Sequence, residues 1–172
     1  MILTDTSILK FKDNGISVEP WIQENVQSAS IDLTLGNTFL LPYKEGVAVD
    51  LTKDKIEYQK LTVDEIIIDP KEFLLATTKE IITLSNDFVG FVEGKSSIGR
   101  CGLSIQNAPL INPGFSGAIT LELYNASENF LKITKDMHIC QLILFKTLDT
   151  AVSGYSGQYQ GQKEAKGSSL NF

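Results

Sequence analysis

Asn112-Pro-Gly-Phe-Ser-Gly-Ala-Ile-Thr-Leu-Glu-Leu-Tyr-Asn125 opens on turn residues and closes on an alternating run. Asn112-Pro-Gly114 and Ser116-Gly117 supply the fixed and permissive φ angles of turns. Ala118 to Tyr124 then reads as a strand, with Ile119, Leu121 and Leu123 on one face and Thr120, Glu122 and Tyr124 on the other, because successive strand side chains point oppositely. The same signal recurs in Ile31 to Leu35, Thr38 to Leu41, Ile66 to Ile68, Phe73 to Thr77, Glu80 to Leu84, Phe88 to Glu93 and Ile139 to Phe145. Thr62-Val-Asp-Glu65 has the form of a helix capping box. The β-branched Ile66-Ile67-Ile68 and the Asp69-Pro70 that follow it favour a strand ending in a turn. Helix signals are few: Thr4-Asp-Thr-Ser7 leads into Ile8, Leu9 and Phe11 before Asn14-Gly15, a short capped helix, and Glu19 to Asn25 reads as a second helical or irregular piece. Many short strands between Gly and Asn turns predict a mostly β fold, an antiparallel barrel or jelly roll.

The 172 residues are enough to bury one core and predict a single domain, 1–172. Apolar residues at 42% and charged residues at 21% are the balance of an ordinary globular protein. A formal charge of −6 argues against coating nucleic acid or an anionic membrane, and leaves room for a nucleotide-sized anion at a local basic spot. Met1 to Lys10 lacks the pattern of a secretory leader and no apolar run has bilayer length, so a cytoplasmic location is expected. Cys101 and Cys140 lie in apolar, strand-like stretches and are expected to be buried thiols, not a disulfide. Asn125-Ala-Ser127 matches a glycosylation acceptor that has no use without a secretory route.

Several common chemistries are excluded by residue type. A zinc deaminase needs His-x-Glu and Pro-Cys-x-x-Cys segments, and this chain has one histidine, His138, and two cysteines far apart. A lone histidine beside an apolar strand reads as structural. Gly94-Lys95-Ser96 fails as a phosphate loop because Val89 stands where that motif needs its first glycine. No dinucleotide fingerprint follows a strand, and nothing near His138 suggests a Ser-His-Asp site.

Three stretches retain chemistry. Phe91-Val-Glu-Gly-Lys-Ser-Ser-Ile-Gly-Arg100 puts two cations and two hydroxyls at a turn after an apolar strand, either a solvated surface turn or a cradle for phosphates. Glu122 is either a solvent-facing residue of an amphipathic strand or a partly buried carboxylate able to act as a base. After Leu148 the chain turns polar and glycine-rich through Ser153-Gly-Tyr-Ser-Gly-Gln-Tyr-Gln-Gly-Gln-Lys163, either a frayed end or a lid in which tyrosine and glutamine meet a base.

Taken together, Ser30-Ile-Asp-Leu-Thr-Leu-Gly36, Phe73-Leu-Leu-Ala-Thr77, Glu93-Gly-Lys-Ser-Ser-Ile-Gly-Arg-Cys-Gly-Leu103, Asn112-Pro-Gly-Phe-Ser-Gly117, Thr120-Leu-Glu-Leu-Tyr-Asn125 and Gln158-Tyr-Gln-Gly-Gln162 occur in the order found in dCTP deaminases. The chain resembles that family, within the dCTP deaminase and dUTPase superfamily, over nearly its whole length. The resemblance implies a distorted, jelly-roll-like β-barrel of the dUTPase type with few short helices. It implies a homotrimer with sites between subunits, each closed by a mobile tail, here residues 149–172. Glu122 matches the catalytic glutamate that draws a proton from water attacking C4 of cytosine. Lys95, Ser96, Ser97, Ile98, Gly99 and Arg100 match the phosphate-binding and site-organising turn. Asn112, Thr120 and Leu121 fall in the sugar and base region, and Tyr155, Gln158 and Gln162 match tail positions that cover the nucleotide. The substrates implied are dCTP and dUTP, with dTTP a candidate feedback inhibitor. Magnesium is expected on the triphosphate, with no zinc and no metal ligand from the protein.

The chain departs from the family pattern at three places. Asn112 replaces a usual Asp, and an amide can hold a sugar hydroxyl but cannot act as a base. Pro109-Leu110 matches neither the His-Arg of deaminases that stop at dUTP nor the Gly-Trp of those that continue to dUMP, although Gln106-Asn107-Ala108 and the spacing to Asn112 look nearer the bifunctional type. Gln158 replaces a usual lysine. The leading expectation is deamination of dCTP, with or without a further step to dUMP for thymidylate synthesis. The alternatives are a dUTP pyrophosphatase, a silent nucleotide-binding paralogue, and a purely structural jelly roll.

Overall fold

The computed structural model describes residues 1–43, 46–105 and 109–168; the Gln106-Asn107-Ala108 stretch lies outside the described residues. The chain opens with α1 (Asp5–Phe11), β1 (Ile16–Glu19), a 3-10 turn (Gln23–Asn25), β2 (Ile31–Thr34), β3 (Thr38–Pro42), β4 (Tyr58–Thr62) and β5 (Glu65–Ile68). It continues through β6 (Phe73–Leu84), β7 (Phe88–Gly94), α2 (Ser96–Gly99), β8 (Leu103–Ile105), β9 (Leu110–Ile111), β10 (Ser116–Asn125), β11 (Leu131–Thr134) and β12 (His138–Lys146).

The expectation of a mostly β fold is met, and every pairing of named strands is antiparallel. One sheet runs β4-β3-β6-β10-β8, with β1 also on β6; a second runs β2-β12-β7-β9; β11 and β5 form a ribbon. Alternation decides what each buries. Leu74 and Ala76 of β6, Leu121 and Leu123 of β10, Ile31 and Leu33 of β2, and Leu142 and Leu144 of β12 join one apolar cluster. At roughly 25 cal/mol per Å² of apolar surface removed from water, that cluster is the main stabilising term.

Several sequence expectations need correction. Phe73–Thr77 and Glu80–Leu84 are one twelve-residue strand. The polar Thr78-Lys79 between them does not end it, because the Thr78 hydroxyl donates to Glu80 O at 2.9 Å and accepts from Ile119 N at 2.9 Å while the register with β10 slips. That irregularity breaks the alternation expected of β10, so Ile119 faces the same cavity as Thr120. Thr4 occupies the helix N-cap position without a capping bond; Asp5 Oδ1 instead accepts from Thr6 N at 2.7 Å. Cys140 is buried, but Cys101 is exposed, because the chain after α2 turns instead of forming a strand. Desolvation, reinforced by the nearby Glu80 and Asp32 carboxylates, pushes the Cys140 thiol far up from its ordinary range. His138 is structural in its contacts: Nε2 lies 2.9 Å from Asn25 Oδ1. Among the described residues no helix is long and apolar enough to cross a membrane.

After β12 the chain folds back along β10. Tyr155 N donates to Pro113 O at 2.7 Å, Gly161 N to Ser116 O at 2.7 Å, and Ala118 N to Gln162 O at 2.8 Å. Gly114 makes room for this return. Its φ is +78°, and a Cβ there would lie 2.6 Å from Gly154 Cα and 2.9 Å from Tyr155 N. Gly114→Ala is therefore expected to cost about 1–3 kcal/mol through left-handed strain and backbone collision. A chemical denaturation midpoint unchanged from wild type would contradict this.

Candidate active site

β10 carries Glu122 opposite Leu75 of β6 and turns Leu121 and Leu123 inward. Glu122 is thereby left half-buried at the wall of a cavity of about 550 Å³. Burial alone raises the proton affinity of its carboxyl above the ordinary carboxylate range. Asn112, Ile119 and Thr120 line the cavity beside it, and Phe73, Leu75 and Val92 supply apolar wall. The returning chain adds Tyr155, Tyr159, Gln162 and Lys166.

These tail residues are held by specific contacts. The Tyr155 ring packs edge-on to Phe115 with centroids 5.6 Å apart. Gln162 Nε2 donates to Ala118 O at 2.6 Å and approaches Thr120 Oγ1 at 3.3 Å. Its Oε1 is buried and has no partner among the described residues. With both N–H groups directed at β10, the carboxamide keeps a buried acceptor oxygen without a partner among the described residues, on a side chain that lines the cavity. Lys166 N donates to Thr120 Oγ1 at 3.2 Å and its ammonium to Gln158 O. Ala165 packs on Leu40 and Leu75, and Lys60 pairs with Glu164.

The structure therefore brings together Glu122, Asn112, Thr120, Tyr155 and Gln162. It does not bring the rest of the sequence candidates to this cavity. The Leu121 side chain is in the core by strand alternation, so only its backbone faces the neighbouring strands. Gln158 is exposed and outside the lining. Lys95, Ser96, Ser97, Ile98, Gly99 and Arg100 also lie outside it. The stretch expected to be a turn is a single helical turn, α2, with Ser96, Ser97 and Arg100 exposed and Arg100 Nε donating to Ser96 Oγ at 3.3 Å. Lys166 and Tyr58 also line the cavity and were not singled out from sequence. Tyr58 sits in a mostly polar strand, and Lys166 in a stretch where a lysine reads as solvated.

The arrangement defines a class: an antiparallel β domain with one partly desolvated carboxylate in a cavity walled in part by its own returning chain. Residues 2–147 match the dCTP deaminase-like family model, and the chain belongs to this family. A protein of Sulfurihydrogenibium sp. named "dCTP deaminase, dUMP-forming" is 43% identical over 169 residues, covering 95% of this chain and 93% of that protein. One of the same name from Aquifex aeolicus is 44% identical over 165 residues, covering 95% and 91%. In fold, the chain is similar to the 2'-deoxycytidine 5'-triphosphate deaminase of Agrobacterium tumefaciens, with a TM-score of 0.65 at 18% identity; the match spans 83% of this chain and 46% of that longer one. A Staphylococcus phage 80alpha dUTPase shares the fold with a TM-score of 0.52 at 12% identity, over 84% and 97% of the two chains.

Proposed function

We propose that this protein hydrolyses dCTP to dUTP and ammonia without zinc, and carries dUTP on to dUMP and pyrophosphate, supplying dUMP for thymidylate synthesis. The observation that carries the reading is Glu122, a carboxylate of raised proton affinity on the wall of a cavity shared with the returning chain. In the first step Glu122 takes a proton from water as the oxygen bonds to C4 of cytosine, then returns it to the departing amine, so ammonia leaves and the base becomes uracil. Gln162 Oε1 accepts a hydrogen bond from the base, and Asn112 holds the deoxyribose hydroxyl without acting as a base. The second step, in which water cleaves dUTP to dUMP and pyrophosphate, is supported by the names of the relatives.

The working form in this reading is a cytoplasmic homotrimer in which α2 of one protomer serves the cavity of a neighbour. What supports it is the separation of α2 from the cavity within one chain. Magnesium enters as part of the substrate, on the triphosphate. An ion held by the phosphates needs no side-chain ligand from the protein. dTTP, a nucleotide of similar shape, is proposed as an inhibitor.

The test is to incubate the protein with dCTP and magnesium and follow ammonia, dUTP, dUMP and pyrophosphate by chromatography. Ammonia with dUMP and pyrophosphate is the expected result. Accumulating dUTP would remove the second step, and dCTP surviving untouched would leave a silent nucleotide-binding paralogue.

A further inference from the structure

At the start of α2 lies a partly buried ion pair to which the cavity gives no role. Asp32, on β2 between the buried Ile31 and Leu33, has a side chain only 7% exposed, and its Oδ2 accepts from Lys95 Nζ at 2.5 Å. Its Oδ1 has no hydrogen-bond partner among the described residues. Lys95 is thus the charge that compensates a carboxylate sunk in an apolar strand, and removing it would leave that carboxylate unpaired. The same residue is fixed through its main chain, because Lys95 N donates to Ile139 O of β12 at 3.3 Å.

Lys95 is also the residue from which α2 begins. Four residues without a side-chain cap cannot hold their own direction as a helix, so tertiary anchors must set it. Two are visible: Ile98, packed against the core, and Lys95, pinned across β12 to Asp32 on β2. An ammonium committed to a buried carboxylate is poorly placed to be given up to a phosphate. Ser96, Ser97 and Arg100, by contrast, are exposed.

We infer that Asp32 is a positioning residue of the reaction: it holds Lys95 as a tether that orients α2, and Ser96, Ser97 and Arg100, not Lys95, carry the nucleotide's phosphates. The inference rests on the proposed role of α2 in binding a nucleoside triphosphate.

The test compares Asp32→Asn, Lys95→Met, the double variant and Lys95→Arg. Each of the first two is expected to raise KM for dCTP about tenfold, the size of one charge-assisted hydrogen bond, with kcat within about threefold. The double variant should be no worse than either single, and more heat-resistant than Lys95→Met because it no longer buries an unpaired charge. Lys95→Arg, which keeps the tether, should stay within about threefold of wild type. A Lys95→Met loss far larger than that of Asp32→Asn, or losses that multiply in the double variant, would make Lys95 a direct phosphate ligand and overturn the inference. Hydrogen exchange at residues 96–100 of the nucleotide-free protein needs no turnover. Faster exchange in Asp32→Asn supports the tether, and unchanged exchange refutes it even if dCTP proves not to be the substrate.

Discussion

Glu122→Gln is expected to lower ammonia release from dCTP by about 10²- to 10⁴-fold, the range for loss of a positioned general base, while KM stays within a few-fold. The amide keeps the shape of the side chain and cannot accept the water proton. A variant retaining a tenth of wild-type turnover would remove Glu122 from the role of base. Because burial raises the proton affinity of Glu122, the acid limb of the wild-type rate profile should fall at a pH above the ordinary carboxylate range. The same shift has a sign for stability. The folded protein binds this proton more readily than the unfolded chain, so the charged carboxylate detracts from stability above the folded pKa, and that penalty fades as pH falls through it. Glu122→Gln should then melt at or above the wild-type temperature at pH 8, with the two converging at acidic pH. A gain in stability paired with loss of turnover is what a functional carboxylate in an unfavourable environment should show.

What the sequence disclosed follows from what local pattern can encode. The longer strands from Ile31 to Phe145 were legible because their faces are buried unequally. β1, β4, β8, β9 and β11 were not. Each is two to five residues long, and the burial of β4 is partial, so its polar Gln59-Lys60 carries no apolar rhythm. The piece read as helical or irregular from Glu19 to Asn25 is divided, with Glu19 ending β1 and only Gln23–Asn25 forming the 3-10 turn. The face of Glu122 was legible from Leu121 and Leu123, whereas that of Ile119 was not, because a register slip against β6 depends on the Thr78 hydroxyl of another strand. For the polar stretch after Leu148, composition favours a frayed end, and only the family resemblance points to a lid. Its return along β10 is set by backbone bonds to Pro113, Ser116 and Ala118, which composition does not report. Asp32 did leave a signal, an acid between two buried apolar residues of one strand, which calls for a buried partner.

Deleting residues 154–172 is expected to lower kcat/KM for dCTP by about 100-fold or more, since the deletion strips Tyr155, Gln162 and Lys166 from the cavity and opens Glu122 to bulk water. Two effects combine in that number. Loss of Gln162 removes the contact to the base proposed above, and exposure of the cavity restores the high dielectric that normally weakens every polar interaction in it. The deletion also uncovers Phe115 and the Leu40 and Leu75 pair under Ala165, so the melting temperature should drop by about 4–8 °C, taking ~2 kcal/mol of lost burial. The kinetic and thermal effects can be separated with Gln162→Ala, which removes the acceptor and the Nε2 bonds to Ala118 O and Thr120 Oγ1 but leaves the backbone bond from Ala118 N to Gln162 O to hold the chain in place. If the returning chain is a functional lid, Gln162→Ala should lose at least about tenfold in kcat/KM with little change in melting temperature. A truncated protein that melts lower yet keeps kcat/KM within threefold would show the opposite: that the tail packs on β10 only to cover Phe115, and that the cavity works open.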